Sequence, residues 1–135
     1  MIVVDVSVLF GLVVKRDAYH ALAMGARRRD PDWQATRLFR SEFRSIAAGH
    51  LRRGEPLQNV MAAAANAQLA VTTHELTDQE VFAVIQESSL SAYDAEYVAL
   101  ARRLGVVLVT TDREILGHYP NLAVRLQDYA RTKIR

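Results

Sequence analysis

Cysteine is absent from the 135 residues, and that single absence removes disulfide scaffolds, zinc ribbons, iron–sulfur clusters and thiol catalysis together. Lysine is nearly absent too: Lys15 and Lys133 stand against fifteen arginines. Phosphotransfer folds with an aspartate at one strand end want a lysine at a later one, or an Asp-x-Asp element where this chain has Asp5-Val6-Ser7, so that class is disfavoured. The six glycines, at positions 11, 25, 49, 54, 105 and 117, build neither a phosphate-cradling loop nor a dinucleotide turn. No apolar run approaches the ~20 residues of a membrane span. The Met-Ile-Val-Val-Asp start carries no basic segment, leader-like stretch or cleavage site. A cytoplasmic protein without membrane contact is the expectation.

What is present is the composition of an ordinary folded domain, 50% apolar and 24% charged, which excludes intrinsic disorder. The length suits one domain over residues 1–135. The net charge of +2 hides a polarised chain: residues 1–53 balance to +5, residues 54–101 hold no Lys or Arg and balance to −7, and residues 102–135 balance to +4. Arginine supplies forked donors suited to phosphate or carboxylate. Arg27-Arg28-Arg29, with Arg37, Arg40, Arg44, Arg52 and Arg53, read either as solvated faces or as a polyanion-binding surface.

Short β-branched runs alternate with amphipathic stretches. Ile2-Val3-Val4 predicts a strand ending at Asp5, and Ser7 a cap for a helix carrying Val8, Leu9, Leu12 and Val13. Helices are expected from about Asp17 to Arg29, Leu38 to Arg53, and Pro56 to Leu69, the first broken by Asp30-Pro31-Asp32. Ala70–Thr73 reads as a strand. Thr77–Glu80 opens a capped helix, and another runs from Ser91 to Leu104. Val106–Val109, four apolar residues in a row, predicts a strand covered on both faces. A short helix after Asp112, a weak strand at Ala123–Leu126 and a last turn near Asp128 complete the pattern. This alternation predicts an α/β fold, a three-layer α/β/α sandwich with a mostly parallel central sheet. Such sheets bind ligands at the carboxyl ends of their strands.

Four acids stand out against that frame. Asp5 and Asp112 follow the two strongest strands. Glu42 falls within the apolar seam of Phe39, Phe43 and Ile46, and Asp94 precedes Tyr97, Val98 and Ala101 at helical spacing. Each has an ordinary structural reading: Asp5 as a turn residue, Asp112 as a helix cap, Ser91…Asp94 as a capping box. Carboxylates converging at one sheet edge repel one another, and such a site holds either protons or a cation. Oxygen donors without cysteine, and with no two of the four histidines at helical spacing, point to Mg²⁺ or Mn²⁺. Ions of that kind activate water and clamp a phosphodiester.

The stretches Ile2-Val3-Val4-Asp5-Val6-Ser7-Val8-Leu9, Ser41-Glu42-Phe43, Tyr93-Asp94-Ala95-Glu96-Tyr97-Val98-Ala99-Leu100-Ala101 and Leu108-Val109-Thr110-Thr111-Asp112-Arg113 together resemble the PIN-domain nucleases. Within them the chain is most similar to the VapC-like toxins of toxin–antitoxin pairs. The likeness covers nearly the whole chain in motif order. It implies a Mg²⁺- or Mn²⁺-dependent endoribonuclease acting through an activated water, with Asp5, Glu42, Asp94 and Asp112 as catalytic and metal-binding residues. Ser7 and Thr110 match hydroxyl positions near the metal. The resemblance further implies an RNA substrate, a cognate antitoxin, a type II toxin role and a homodimer. Glu114 is the one further acid close after Asp112, so one metal and two metals both remain open. A PIN-like module that binds RNA or a partner without cutting is the alternative.

Substrate must reach an acidic site past its own charge, which places the demand on basic residues. Arg40 and Arg44 flank Glu42 by two residues on either side, Arg37 lies at the helix start, and Arg113 adjoins Asp112. These four are the expected RNA contacts, with Trp33 and Tyr93 as stacking surfaces for unpaired bases. For a dimer face, Leu57, Val60, Met61 and Ala64 make one apolar stripe, and Val81, Phe82, Val84 and Ile85 another. Both stripes equally suit packing on the chain's own core.

Overall fold

Apolar runs too short for anything but strands alternate with helical stretches that bury one face, and the chain resolves them in this order: β1 (Ile2–Val4), α1 (Val6–Val13), α2 (His20–Arg29), β2 (Trp33–Thr36), α3 (Phe39–Arg52), α4 (Leu57–Ala70), β3 (Val71–His74), α5 (Asp78–Glu87), α6 (Ala92–Leu104), β4 (Leu108–Thr110), α7 (Arg113–His118), β5 (Ala123–Arg125) and α8 (Leu126–Arg131). The computed structural model describes residues 1–131. All strand pairings are parallel, in the order β3-β2-β1-β4-β5. Side chains on β1 alternate between faces, as strand geometry requires. Ile2 and Val4 pack with residues of α1–α4 and α8, whereas Val3 packs with residues of α5, α6 and α7. The result is the expected three-layer sandwich, with a sheet that is wholly rather than mostly parallel.

Local chemistry explains most boundaries. Thr77 and Glu80 form a reciprocal capping box on α5, and Ser91 accepts from the Asp94 N–H to cap α6. Gly105 ends α6 in the left-handed region at φ 66°, where a side chain would be strained. Three expectations need correction. Asp5, not Ser7, caps α1, accepting from the Val8 N–H. The second helix begins at His20 rather than near Asp17. A fifth strand, β2, occupies Trp33-Gln34-Ala35-Thr36, four residues whose apolar–polar alternation is too short to announce a strand. It is held by pairing on both sides, to β1 and β3.

The strand order reverses beside β1: the chain runs outward through β2 and β3, then returns to place β4 and β5 on the other side. A crevice opens at the carboxyl ends of strands where such a reversal occurs, here at the ends of β1 and β4.

Candidate active site

Asp5 leaves β1 at that crevice and is 7% exposed. Val4 is level with Val109, so continuing the register by one residue sets Asp5 beside Thr110. The Thr110 hydroxyl donates to Asp5 Oδ2. Oδ1 accepts from Ser7 Oγ at 2.6 Å and from the Val8 N–H at 3.3 Å. Ser7 in turn meets Thr111 Oγ1 at 2.9 Å. Burial pushes the Asp5 carboxyl above its ordinary range; the bonds from Ser7, Thr110 and Val8 oppose the rise, and the charge of Asp112 adds to it.

The other three acids arrive on separate helices. Glu42 lies in the first turn of α3, half-buried between the buried Phe39 and Phe43. Its Oε1 accepts a 2.7 Å bond from the Tyr97 phenol of α6. Burial raises its pKa, the Tyr97 bond opposes this, and the charges of Asp5, Asp94 and Glu96 raise it further. Asp94, in the first turn of α6, is raised by burial and then by Asp112, Asp5 and Glu114, against the hydrogen bond from Ser91. Asp112 caps α7, its Oδ1 accepting from the Ile115 N–H at 3.0 Å, while its own N–H donates to Thr110 Oγ1 at 3.0 Å. Capping and site placement therefore coincide at Asp5 and Asp112 rather than excluding each other.

The structure thus brings Asp5, Glu42, Asp94 and Asp112 within electrostatic reach of one another, and the ion pairs among the described residues all lie elsewhere. Negative charge accumulates there with no ion-paired cationic side chain among the described residues to offset it. The donors are hard oxygens, the chemistry that suits Mg²⁺ or Mn²⁺. Among the described residues, no three Asp, Glu or His side chains are gathered closely enough to hold an ion as they stand. Four carboxylates without a counter-charge repel, and Asp5, Glu42 and Asp112 are each engaged by a hydrogen-bond donor of the fold.

Arg40, Arg44, Arg37 and Arg113 are exposed, and Arg37 pairs with Glu75 at 3.1 Å. Trp33 is 1% exposed, so the expectation that it stacks on bases is wrong: it lies in the core beneath Arg27, 5.1 Å from its guanidinium. Tyr93, next to Asp94, is 61% exposed. Two members of the arginine run serve the fold. Arg27 donates to the Ala70 carbonyl at 2.8 Å, and Arg29 donates to the Tyr129 carbonyl and sits 4.1 Å from its ring. Sequence reasoning passed over Tyr97, Thr36, Thr111 and Glu96 in or beside the site. The signal for Tyr97 was its i+3 spacing from Asp94, which reads equally as core. A separate cleft of about 460 Å³, lined by Phe10, Phe43, Ala47, Val60 and Ala63 with His50 and Arg16 at its margin, contains none of the four acids.

A profile of the PIN domain matches residues 2–120. Ribonuclease VapC3 of Pyrobaculum aerophilum is 27% identical over 127 residues, spanning 90% of this chain and 96% of that protein. The crystal structure of PAE2754, also from Pyrobaculum aerophilum, superposes with a TM-score of 0.72 at 25% identity, covering 96% of this chain and 92% of that one. VapC20 of Mycobacterium tuberculosis, described as a sarcin–ricin loop cleaving toxin, superposes with a TM-score of 0.65 at 19% identity, covering 90% and 96%. That last likeness bears on the fold alone.

Proposed function

This chain belongs to the PIN domain family, and from that premise we propose that it is a VapC-like endoribonuclease that depends on Mg²⁺ or Mn²⁺ and serves as the toxin of a type II toxin–antitoxin pair. The observation that carries the reading is the convergence of four carboxylates, from β1, α3, α6 and the start of α7, with no basic side chain among the described residues paired to any of them. Asp5, Glu42, Asp94 and Asp112 would hold the ion. Bound there, it supplies counter-charge for the phosphodiester and a water of lowered pKa.

The chain's own residues do the rest. Ser7 and Thr110 hold Asp5 in one rotamer, donating to opposite oxygens. The capping bonds to Val8 and Ile115 tie Asp5 and Asp112 to helix termini, so both carboxylates are presented by rigid elements. Arg37, Arg40, Arg44 and Arg113 hold the flanking phosphates, and Tyr93 offers a ring to an unpaired base. An antitoxin and a second copy of the chain complete the proposed partners.

The test is cleavage of a single-stranded RNA after EDTA treatment, with Mg²⁺ or Mn²⁺ restored. Glu42→Gln and Asp94→Asn are expected to abolish restored cleavage and weaken Mn²⁺ binding by calorimetry. That no three Asp, Glu or His side chains among the described residues are gathered closely enough to hold an ion as they stand favours a second reading, a module that binds RNA without cutting it. Mn²⁺ titration with no heat and no cleavage would decide for that one.

A further inference from the structure

Glu42 reaches the acidic crevice from a helix, with neither a capping bond nor a strand end to fix its side chain. What fixes it is Tyr97. That residue is 1% exposed in the core between sheet and α6, and its phenol donates a 2.7 Å bond to Glu42 Oε1, across 55 residues of chain. Beside it lies a second hydroxyl. Thr36 is fully buried at the carboxyl end of β2, with its hydroxyl beside the Tyr97 phenol. Because Ile2 and Val3 are level with Trp33 and Gln34, continuing the register sets Thr36 beside Asp5 on the side opposite Thr110. The sheet edge therefore carries hydroxyls on both flanks of Asp5: Thr110 serves Asp5 itself, and Thr36 faces the phenol that serves Glu42.

We propose that Tyr97 is a positioning residue of the site: through its hydroxyl it holds Glu42 with Oε1 engaged, so that Oε2 is the oxygen with its full acceptor capacity left for a divalent ion. This deepens the functional reading above and rests on it, since it takes Glu42 as a ligand. A donor behind a ligating side chain orients that ligand, and its loss commonly weakens metal binding about 10–100-fold.

The experiment measures Mn²⁺ dissociation constants by calorimetry on the full chain for wild type, Tyr97→Phe, Glu42→Gln and the double variant, with thermal midpoints in EDTA as the measure of folding. Phenylalanine keeps the ring and removes only the hydroxyl. Tyr97→Phe is expected to weaken Mn²⁺ binding about tenfold while the EDTA melt shows a folded protein, and to have no further effect in the Glu42→Gln background. Wild-type Mn²⁺ affinity in Tyr97→Phe, with Glu42→Gln impaired, overturns the positioning role and leaves the metal reading standing. An equal loss from Tyr97→Phe with and without Glu42 also overturns it, because the phenol then acts through the fold. Unchanged Mn²⁺ binding in Glu42→Gln overturns the proposal together with the metal reading of Glu42.

Discussion

Asp94 shows how a single side chain carries the tension of the whole site. Burial and three neighbouring carboxylates lift its pKa above the ordinary range, so the folded state binds this proton more tightly than the unfolded chain does. Stability from this group is therefore fully present below the ordinary carboxyl range and is lost as pH rises through the raised folded value. Asparagine at the same position removes the charge and keeps the shape, and the Ser91 cap is untouched because it rests on the backbone N–H. In EDTA, Asp94→Asn is expected to melt above wild type at pH 7, with the advantage shrinking as pH falls through the raised folded value and gone below about 4. Melts across pH 3–7 check this; a variant that melts lower at pH 7 and level at pH 3 reverses the sign and removes the repulsion argument.

At the scale of elements, the arginines divide by what their helices need. Arg27, at the last turn of α2, reaches the final carbonyl of α4 and covers the face of Trp33 in β2. It thereby ties three elements on one side of the sheet. Arg27→Ala is expected to cost about 1–3 kcal/mol, from one charge-assisted hydrogen bond and one cation–π contact. Denaturant unfolding reads that loss, and RNA affinity should be unchanged by it. On the opposite layer, Arg103 of α6 pairs with Glu80 of α5, and that pairing with the Thr77 cap holds the Glu80 carboxyl down to about 2. This contribution has the opposite sign to that of Asp94: it is present above the ordinary carboxyl range and lost as pH falls toward 2.

Across the molecule, affinity for RNA and assembly make separable demands. A single strand that neutralises itself on exposed arginines gives a salt slope proportional to the phosphates contacted. With a cleavage-dead Asp94→Asn background, Arg40→Ala and Arg44→Ala are each expected to flatten that slope by about one unit; unchanged slopes in both move the RNA path elsewhere. Assembly draws on other surfaces. The two apolar stripes split on folding: Val84 is buried and Val60, Ala64, Val81 and Ile85 are half-buried, while Leu57 and Met61 stay 63% exposed and Phe82 58%. If these form the homodimer face, light scattering at tens of micromolar reads twice the chain mass for wild type and the single mass for Leu57→Asp with Met61→Asp. Single-chain mass for wild type ends the dimer proposal.

Every strand but β2, the succession of helices, the parallel sheet and the placement of Asp5, Glu42, Asp94 and Asp112 at strand ends and on inward helix faces were legible in the amino-acid sequence, because each is written in local pattern. An acid after a β-branched run sits at a strand end. An acid within an apolar helical seam faces inward. The strand β2 was not legible, since the alternation in Trp33-Gln34-Ala35-Thr36 is too short to mark a strand by itself, and pairing with β1 and β3 on both sides holds it. What depends on that strand was hidden with it: the place of Thr36 beside Asp5, and the burial of Trp33 under Arg27. The bond from Tyr97 to Glu42 was hidden for a related reason, because it joins two helices 55 residues apart. Local periodicity specifies which face of an element turns inward; only the register between strands and the packing of helices across them decides which side chain it meets there.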